Sequence, residues 1–218
     1  MLFDYPIQTK FKKVLPKSKV YEHAQPSSKV KRRFAEQVMK IVWNYKLSPQ
    51  TINLEATSSV PEIQVFSIRL RTRTLDESVL RCIDKAIDFP IFYELIYEEE
   101  LMQVAAYKYR ETSESTQWIL GDYFWSDWVD EHTPRQKLPV AINMGSLYQQ
   151  MLWPLLPFKS LEGEGILEQI ERITTIRSLK RDATKLETRI AREKQFNRKV
   201  DLNKKLRALN KQINLLLN

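Results

Sequence analysis

The sequence of 218 residues has one cysteine, two histidines and four glycines. The single cysteine, Cys82, excludes an intramolecular disulfide, as expected in a reducing compartment. Together with His23 and His132 it cannot supply the four ligands of a common zinc site. No glycine lies in a phosphate-binding loop motif, and no segment approaches the roughly 20 apolar residues of a membrane span. We expect a cytoplasmic protein without a metal, a cofactor or a membrane span.

Charge is abundant, with 35 Lys and Arg against 27 Asp and Glu, and it is unevenly distributed. Residues 10–46 carry a net charge of +9 and residues 166–218 carry +8, whereas residues 47–165 carry −8. Basic ends around an acidic middle indicate a polyanion or an acidic protein as the partner. The alternative is that the lysine-rich segments only keep the protein soluble, since basic surfaces are common.

The N-terminal quarter of the sequence predicts an extended segment followed by a helix. The first 26 residues contain three prolines and are predicted to be extended. Apolar residues then recur at spacings of three and four from Val30 to Tyr45, with Ser27 or Ser28 as the N-cap and Pro49 beyond the end. This pattern predicts one amphipathic helix, with most of its lysines and arginines off the apolar stripe.

A strand and a second helix are predicted next. Residues 61–71 have apolar side chains at both odd and even positions, which is typical of a central strand covered on both faces. Thr74 and Glu77 have the spacing of a capping box, in which each side chain bonds to the other residue's backbone amide. We therefore expect a helix over residues 75–88, which ends just before Pro90.

Three strand-like runs follow, joined by short polar connectors that are typical of hairpins. The runs cover residues 91–97, 102–109 and 117–125, with EEEL and RETSEST as the connectors. A short amphipathic helix is predicted over residues 142–153. We expect an α+β fold with a small, mainly antiparallel sheet of about four strands and covering helices. This domain, with its extended N-terminal segment, is predicted to span residues 1–160.

The remaining residues, 161–218, are predicted to form a basic helical hairpin or coiled coil. Apolar residues repeat at spacings of three and four over residues 176–190 and again over residues 202–216. The two repeats differ in phase by two residues, which turns the second stripe to the opposite side of a continuous helix. A bend near residues 194–201 would let the two stripes face each other. The alternative is one continuous helix whose halves bind different partners.

Two segments of the chain concentrate cations. Residues 192–206, REKQFNRKVDLNKKL, hold six cations and two anions, and residues 29–33 hold four cations. Clustered lysines and arginines are the electrostatic signature of nucleic-acid binding, although a hinge or a solvated surface has the same composition. The candidate nucleic-acid-binding residues are Lys29, Lys31, Arg32, Arg33, Arg192, Lys194, Arg198, Lys199, Lys204 and Lys205.

The sequence predicts no catalytic site. Central carboxylates such as Asp84 and Glu94 would suit a metal-dependent nuclease, but the expected Glu-x-Lys strand motif is missing. The candidate lysine is Lys108, and Ala106 stands two positions before it. The aromatic run at residues 118–128 lies in the acidic region, which favours core packing or a protein interface over base stacking. We assign no catalytic residue and no metal ligand.

Several stretches of the sequence together resemble a known prokaryotic family. They include YKLSPQTINL, VPEIQVF, CIDKAIDFPIFYEL, PRQKLPVA and REKQFNRKVDLN. They are similar to the family labelled domain of unknown function 4391, and the similarity runs from about Leu15 to about Asn203. The resemblance implies a gene neighbourhood with DNA methyltransferases and helicases, in restriction-modification or antiviral defence clusters. It supplies no functional residue.

Three functions are compatible with these observations. The first is a non-enzymatic accessory or adaptor subunit that docks a DNA-acting partner, such as a helicase or DNA methyltransferase, through its helical tail. The second is a direct, sequence-tolerant DNA-binding protein, and the third is an unrecognised metal-dependent nuclease. The C-terminal helices are also a candidate surface for homo-oligomer formation.

Overall fold

The computed structural model describes residues 2–110 and 117–217 of the chain. The chain divides into two compact units, Met1–Leu156 and Pro157–Asn218. Residues 111–116, within the predicted connector RETSEST, are outside the described part. No helix among the described residues is long and apolar enough to cross a membrane.

The first unit is a mixed α/β structure. Its strands are β1 (Phe3–Asp4), β2 (Lys10–Val14), β3 (Val38–Leu47), β4 (Ile63–Leu70), β5 (Ile91–Tyr97), β6 (Glu100–Tyr109), β7 (Ile119–Trp125), β8 (Val129–Asp130) and β9 (Gln136–Lys137). Its helices are α1 (Lys17–Ala24), α2 (Ser28–Gln37), α3 (Pro49–Ile52), α4 (Glu77–Ala86) and α5 (Met144–Leu152), with 3-10 turns at Ile7–Thr9 and Trp153–Leu155.

The main sheet of this unit has seven strands. Six of them lie in the order β2-β3-β4-β5-β6-β7, and β8 pairs with β6. Strands β4 and β5 are parallel and are joined through α4, whereas the other neighbouring pairs are antiparallel. Strands β1 and β9 form a separate parallel pair. A mainly antiparallel α+β fold was therefore predicted correctly, but the sheet has more strands than the expected four.

Strand β4 forms the middle of the sheet, and all of its residues except Arg69 are buried. Phe66 and Ile68 on one face belong to a core that includes Val20 of α1, Phe34 of α2 and Leu80 of α4. The alternate residues of β4 are buried on the other face. The prediction of a central strand covered on both faces is confirmed.

The predicted helix from Ser28 to the residues before Pro49 is wrong in its second half. Helix α2 ends at Gln37, and the chain continues as strand β3, which pairs with β2 on one side and β4 on the other. Val42, Trp43 and Tyr45 are β-branched or aromatic residues, which suit a pleated strand. Their spacing imitates a helical stripe, so the cross-strand pairing and not the periodicity decides the structure.

Smaller differences occur at the N-terminus and at the start of α4. The segment predicted to be extended contains α1 as well as β1 and β2. The N-cap of α4 is Asp76, whose carboxylate accepts from the amide of Ser78, in place of the predicted Thr74 box. Asp76 fits the rule that a short polar side chain satisfies the first helical amides.

The second unit consists of two long helices, α6 (Ile166–Arg192) and α7 (Phe196–Leu217). They run antiparallel, because the guanidinium of Arg172 near the start of α6 donates to the carbonyl of Leu216 near the end of α7. The break between the helices covers Glu193 to Gln195, at the start of the region where the phase shift predicted a bend.

Candidate nucleic-acid interface

The turn between α6 and α7, residues 193–195, is formed by local hydrogen bonds. Glu193 has an extended backbone that ends α6, and its amide still donates to the carbonyl of Arg189. The carboxylate of Glu193 accepts from the amide of Gln195 at 2.8 Å. The carbonyl of Gln195 then accepts from the amide of Lys199 at 3.0 Å and starts α7. One acidic side chain therefore fixes the reversal of the chain.

Six cations surround this turn, and we call them the basic turn. The basic turn consists of Arg192, Lys194, Arg198, Lys199, Lys204 and Lys205. All six are exposed. Among the described residues, none of them forms an ion pair. Their charges are therefore available to a polyanion without first breaking an internal salt bridge.

The opposite end of the hairpin is held by Arg172. Its guanidinium donates to the two carboxylate oxygens of Glu164 at 2.5 and 2.7 Å, and to the carbonyls of Lys159 and Leu216 at 2.9 and 3.1 Å. This bonding holds the pKa of Glu164 below its usual range. At 1.5 Å per residue, the 20 residues from Arg172 to Arg192 place the turn about 30 Å away.

The second predicted basic segment lies on α2, in the first unit. Lys29, Lys31 and Arg32 are exposed and Arg33 is half-buried. Arg32 and Arg33 lie within 3.7 and 3.8 Å of the Glu36 carboxylate, and Arg33 also lies 3.4 Å from Asp76. These two arginines are therefore partly neutralised.

Lys31 of the same segment lies 5.7 Å from the ring centre of Tyr21, in a cation–π arrangement. Among the described residues, Lys29 is therefore the one cation of the four with neither an ion pair nor an aromatic ring contact. The basic turn is accordingly the stronger candidate for contact with phosphates.

In the acidic middle of the chain, Asp84 is buried beside Lys108. The Asp84 carboxylate accepts from the hydroxyl of Tyr93 at 2.8 Å and from the hydroxyl of Tyr123. The ammonium of Lys108 lies 3.7 Å from the same carboxylate. Lys108 also donates to the carbonyls of Asp84 and Ile87, where helix α4 ends. The lysine therefore caps the helix as well as compensating a buried charge.

Burial is the main influence on the ionisation of this pair. Burial raises the pKa of the Asp84 carboxyl, and the charge of Lys108 and the hydroxyls of Tyr123 and Tyr93 only partly offset it. Burial also lowers the pKa of Lys108, against the attraction of Asp84 and Asp88. A shallow cleft of about 280 Å³ lies at this pair, with Trp118 in its wall. The three donor positions of Lys108 already face protein oxygens, which favours a structural role.

Glu94 lies on the other face of the sheet, because it follows Tyr93 on β5 and successive strand residues point to opposite faces. Its carboxylate is bonded to the guanidinium of Arg135 at 2.6 Å and lies 3.4 Å from the hydroxyl of Ser67. Arg135 also donates to the carbonyl of Phe3 at 2.9 Å and so ties the N-terminal segment to the sheet.

The two central carboxylates named from the sequence therefore belong to separate networks, each with its own cation. Within residues 2–110 and 117–217, no group of three or more Asp, Glu, His or Cys side chains could hold a metal ion. From the sequence, Lys108 was considered only as the lysine of a Glu-x-Lys strand motif, and that motif is absent. Its actual partner, Asp84, comes from a helix, and no local spacing links the two residues.

Sequence reasoning also missed two residues of the helical hairpin. Arg172 was not distinguished from the other cations of the tail, because its partners are eight residues before it and 44 residues after it. Phe196 was not singled out, although an isolated aromatic residue in a run of polar and basic residues was a visible signal. It is the first residue of α7 and is 78% exposed.

A model of the family described as a domain of unknown function (DUF4391) matches residues 3–213. The chain belongs to this family. The resemblance stated from the sequence is thus confirmed, over nearly the whole chain. No curated protein and no solved structure matches the chain.

The DUF4391 match includes the sheet with its two buried charge networks as well as both helices of the hairpin up to Ile213. The family description names no reaction. Chemically, the buried networks each pair one acid with one base, whereas the basic turn presents six exposed cations in a segment with only two acidic residues, Glu193 and Asp201. Of these features, the basic turn is the one best arranged to bind a ligand from solution.

Proposed function

We propose that this DUF4391 protein is a non-enzymatic accessory protein that binds the DNA phosphate backbone, without base specificity, through its basic turn. The observation that carries the proposal is the set of six exposed cations towards the turn of a helical hairpin, which form no ion pair with any described residue. The family resemblance implies DNA methyltransferase and helicase neighbours, and this expected neighbourhood supports a DNA-related setting.

The physical reason is the release of counterions. Each phosphate that a lysine or arginine neutralises releases condensed cations from duplex DNA, which favours binding strongly at low salt. Cations already held in salt bridges gain less, because an internal partner must first be given up. Arg198 and Lys205 are seven residues apart, so they lie on nearly the same side of α7, about 10 Å apart along its axis. That separation matches about three phosphates of one strand.

The hairpin also supports a second candidate function, that of an adaptor for a DNA-acting protein. Apolar residues remain exposed on its helices, with Leu215 of α7 at 70% and Leu167 of α6 at 39% exposure. Amphipathic helices dock protein partners through apolar side chains of this kind. A helicase or DNA methyltransferase is the partner that the family resemblance suggests. Backbone binding and docking are compatible, since they use different parts of the hairpin.

The test is the salt dependence of DNA binding. With about four phosphate contacts, the slope of log affinity against log salt should be near −3.6, from about 0.9 per contact. A fourfold rise in salt then lowers the affinity by roughly two decades. A variant in which Arg198, Lys199, Lys204 and Lys205 are replaced by Ala should lose at least half of this slope. Fluorescence anisotropy with a labelled duplex measures the salt slope of the unchanged protein and that of the variant.

A matched control removes the same charge from the rest of the hairpin. Arg181, Arg189, Arg207 and Lys211 are exposed helical cations outside the basic turn and, like its members, form no ion pair among the described residues. Their replacement by Ala changes the net charge equally, but it should leave most of the salt slope intact. Equal slopes for the two quadruple variants would contradict the proposed site. No binding of the unchanged protein even at low salt would contradict DNA binding itself and leave the adaptor function.

A further inference from the structure

Phe196 is an exposed aromatic ring in the centre of the basic turn. At 78% exposure it is the most exposed aromatic side chain among the large hydrophobic residues of the described chain. It follows the turn directly and opens α7. No aromatic ring and no cation packs against it within the described residues. Among the described residues, neither a ring–ring contact nor a cation–π contact therefore accounts for its position.

Helical periodicity places cations on both sides of the ring. At about 100° and 1.5 Å per residue, Lys199 lies about 60° from Phe196 on one side and about 4.5 Å along the axis, and Lys204 lies about 80° away on the other side and about 12 Å along the axis. Both lysines are exposed and unpaired among the described residues. The ring therefore stands on a strip of helix surface that positive charge borders on both sides.

We infer that the basic turn binds single-stranded nucleic acid, with one base stacked on the ring of Phe196 and the flanking phosphates on Lys199 and Lys204. This inference rests on the proposed function and specifies single-stranded nucleic acid as the ligand of the basic turn. A duplex hides the faces of its bases inside the stack, whereas a single strand, a frayed end or a loop exposes them. Aromatic rings beside backbone-tracking cations are the usual means of binding single strands without sequence preference.

The occupant follows from charge complementarity. An apolar protein segment could cover the ring, but it would leave the two bordering lysines, Lys199 and Lys204, without counter-charges. A single strand supplies a base for the ring and phosphates for the cations in alternation along one chain. The same reasoning predicts a shallower salt slope than for a duplex, about 0.7 per contact.

The experiment compares two 12-nucleotide strands of equal charge, oligothymidylate and an abasic strand, by fluorescence anisotropy at low salt. We expect oligothymidylate to bind roughly 5- to 150-fold more tightly, which is the typical contribution of one stacked base. Phe196→Leu, which keeps an apolar side chain, should abolish this preference and leave the affinity for the abasic strand unchanged. Phe196→Trp should keep the preference. The ring is exposed, so neither change should disturb the fold, and circular dichroism verifies this.

The outcomes separate the inference from the proposed function. Equal binding of both strands by the unchanged protein, or a preference that survives Phe196→Leu, overturns the role of the ring but leaves backbone binding intact. No binding of either strand or of a duplex overturns both. The unchanged protein could instead bind no DNA but self-associate, and Phe196→Leu could abolish that self-association. This outcome would assign the ring to a protein contact and overturn the inference.

Discussion

Replacing Arg172 by Ala should loosen the end of the helical hairpin that is farthest from the turn. The side chain is 8% exposed, and its guanidinium holds Glu164, Lys159 and Leu216 together. Removing it leaves the Glu164 carboxylate, which is 9% exposed, without its cation. It also removes a donor from a carbonyl at the C-terminal end of α7, where unsatisfied acceptors accumulate.

The expected loss of stability at this end is about 3–5 kcal/mol, the usual cost of removing one partner of a buried ion pair. A change of 1.4 kcal/mol alters an opening equilibrium tenfold. Amide hydrogens that exchange by local opening should therefore exchange at least about 100-fold faster in the variant. Arg172→Lys should recover only part of the loss, because an ammonium cannot reproduce the bidentate fork.

Hydrogen exchange followed by mass spectrometry measures this change locally. Peptides over residues 164–175 and 208–217 should lose protection, because they contain the two ends that Arg172 joins. Arg181→Ala is the matched control, since Arg181 is an exposed arginine of the same helix. It should leave both peptides unchanged. Equal protection in the Arg172→Ala variant and the unchanged protein would refute the idea that this side chain holds the hairpin closed.

The pH dependence of the same protection supplies an independent check. The hydrogen bond from Arg172 lowers the pKa of Glu164 in the folded state. A depressed carboxyl pKa contributes stability that is present above the unfolded value of about 4.3. This contribution disappears as the pH falls through the lower folded pKa. The hairpin should therefore lose protection below about pH 4.3, and the Arg172→Ala variant should show a smaller acid effect at this site.

Two further predictions concern the sheet and the hairpin. Lys108→Met should destabilise the first unit by about 3–5 kcal/mol, because it leaves the buried Asp84 charge without its partner. Tryptophan fluorescence in urea measures the change, with Lys85→Met at an exposed position as the control. An unchanged unfolding midpoint for Lys108→Met would contradict the pairing. Spin labels at residues 180 and 212 should lie well under 40 Å apart, since only a continuous helix approaches about 48 Å, and a distance near that value would exclude the hairpin.

The sequence alone determined those features that rest on local pattern. Strand β5 was predicted with its observed bounds, because β-branched and aromatic residues there fill a short run between turn residues. The break in the tail was predicted from the phase of its apolar repeat. A stripe that changes side cannot stay buried against one neighbour along a continuous helix, which favours a reversal of the chain. The exposed cations near the turn follow from the same pattern, because they fall outside the stripe.

Only the tertiary structure decided the identity of β3 and the pairing of the buried charges. The spacing of apolar residues from Val38 to Tyr45 fits a helix and a two-sided strand equally well, and the hydrogen bonds to β2 and β4 select the strand. Asp84 meets Lys108 across 24 residues, and Arg172 meets Leu216 across 44. A single sequence shows no periodic pattern for such partners. A buried charge must have a partner close to it in space, but that requirement places no constraint on the separation of the two residues along the chain.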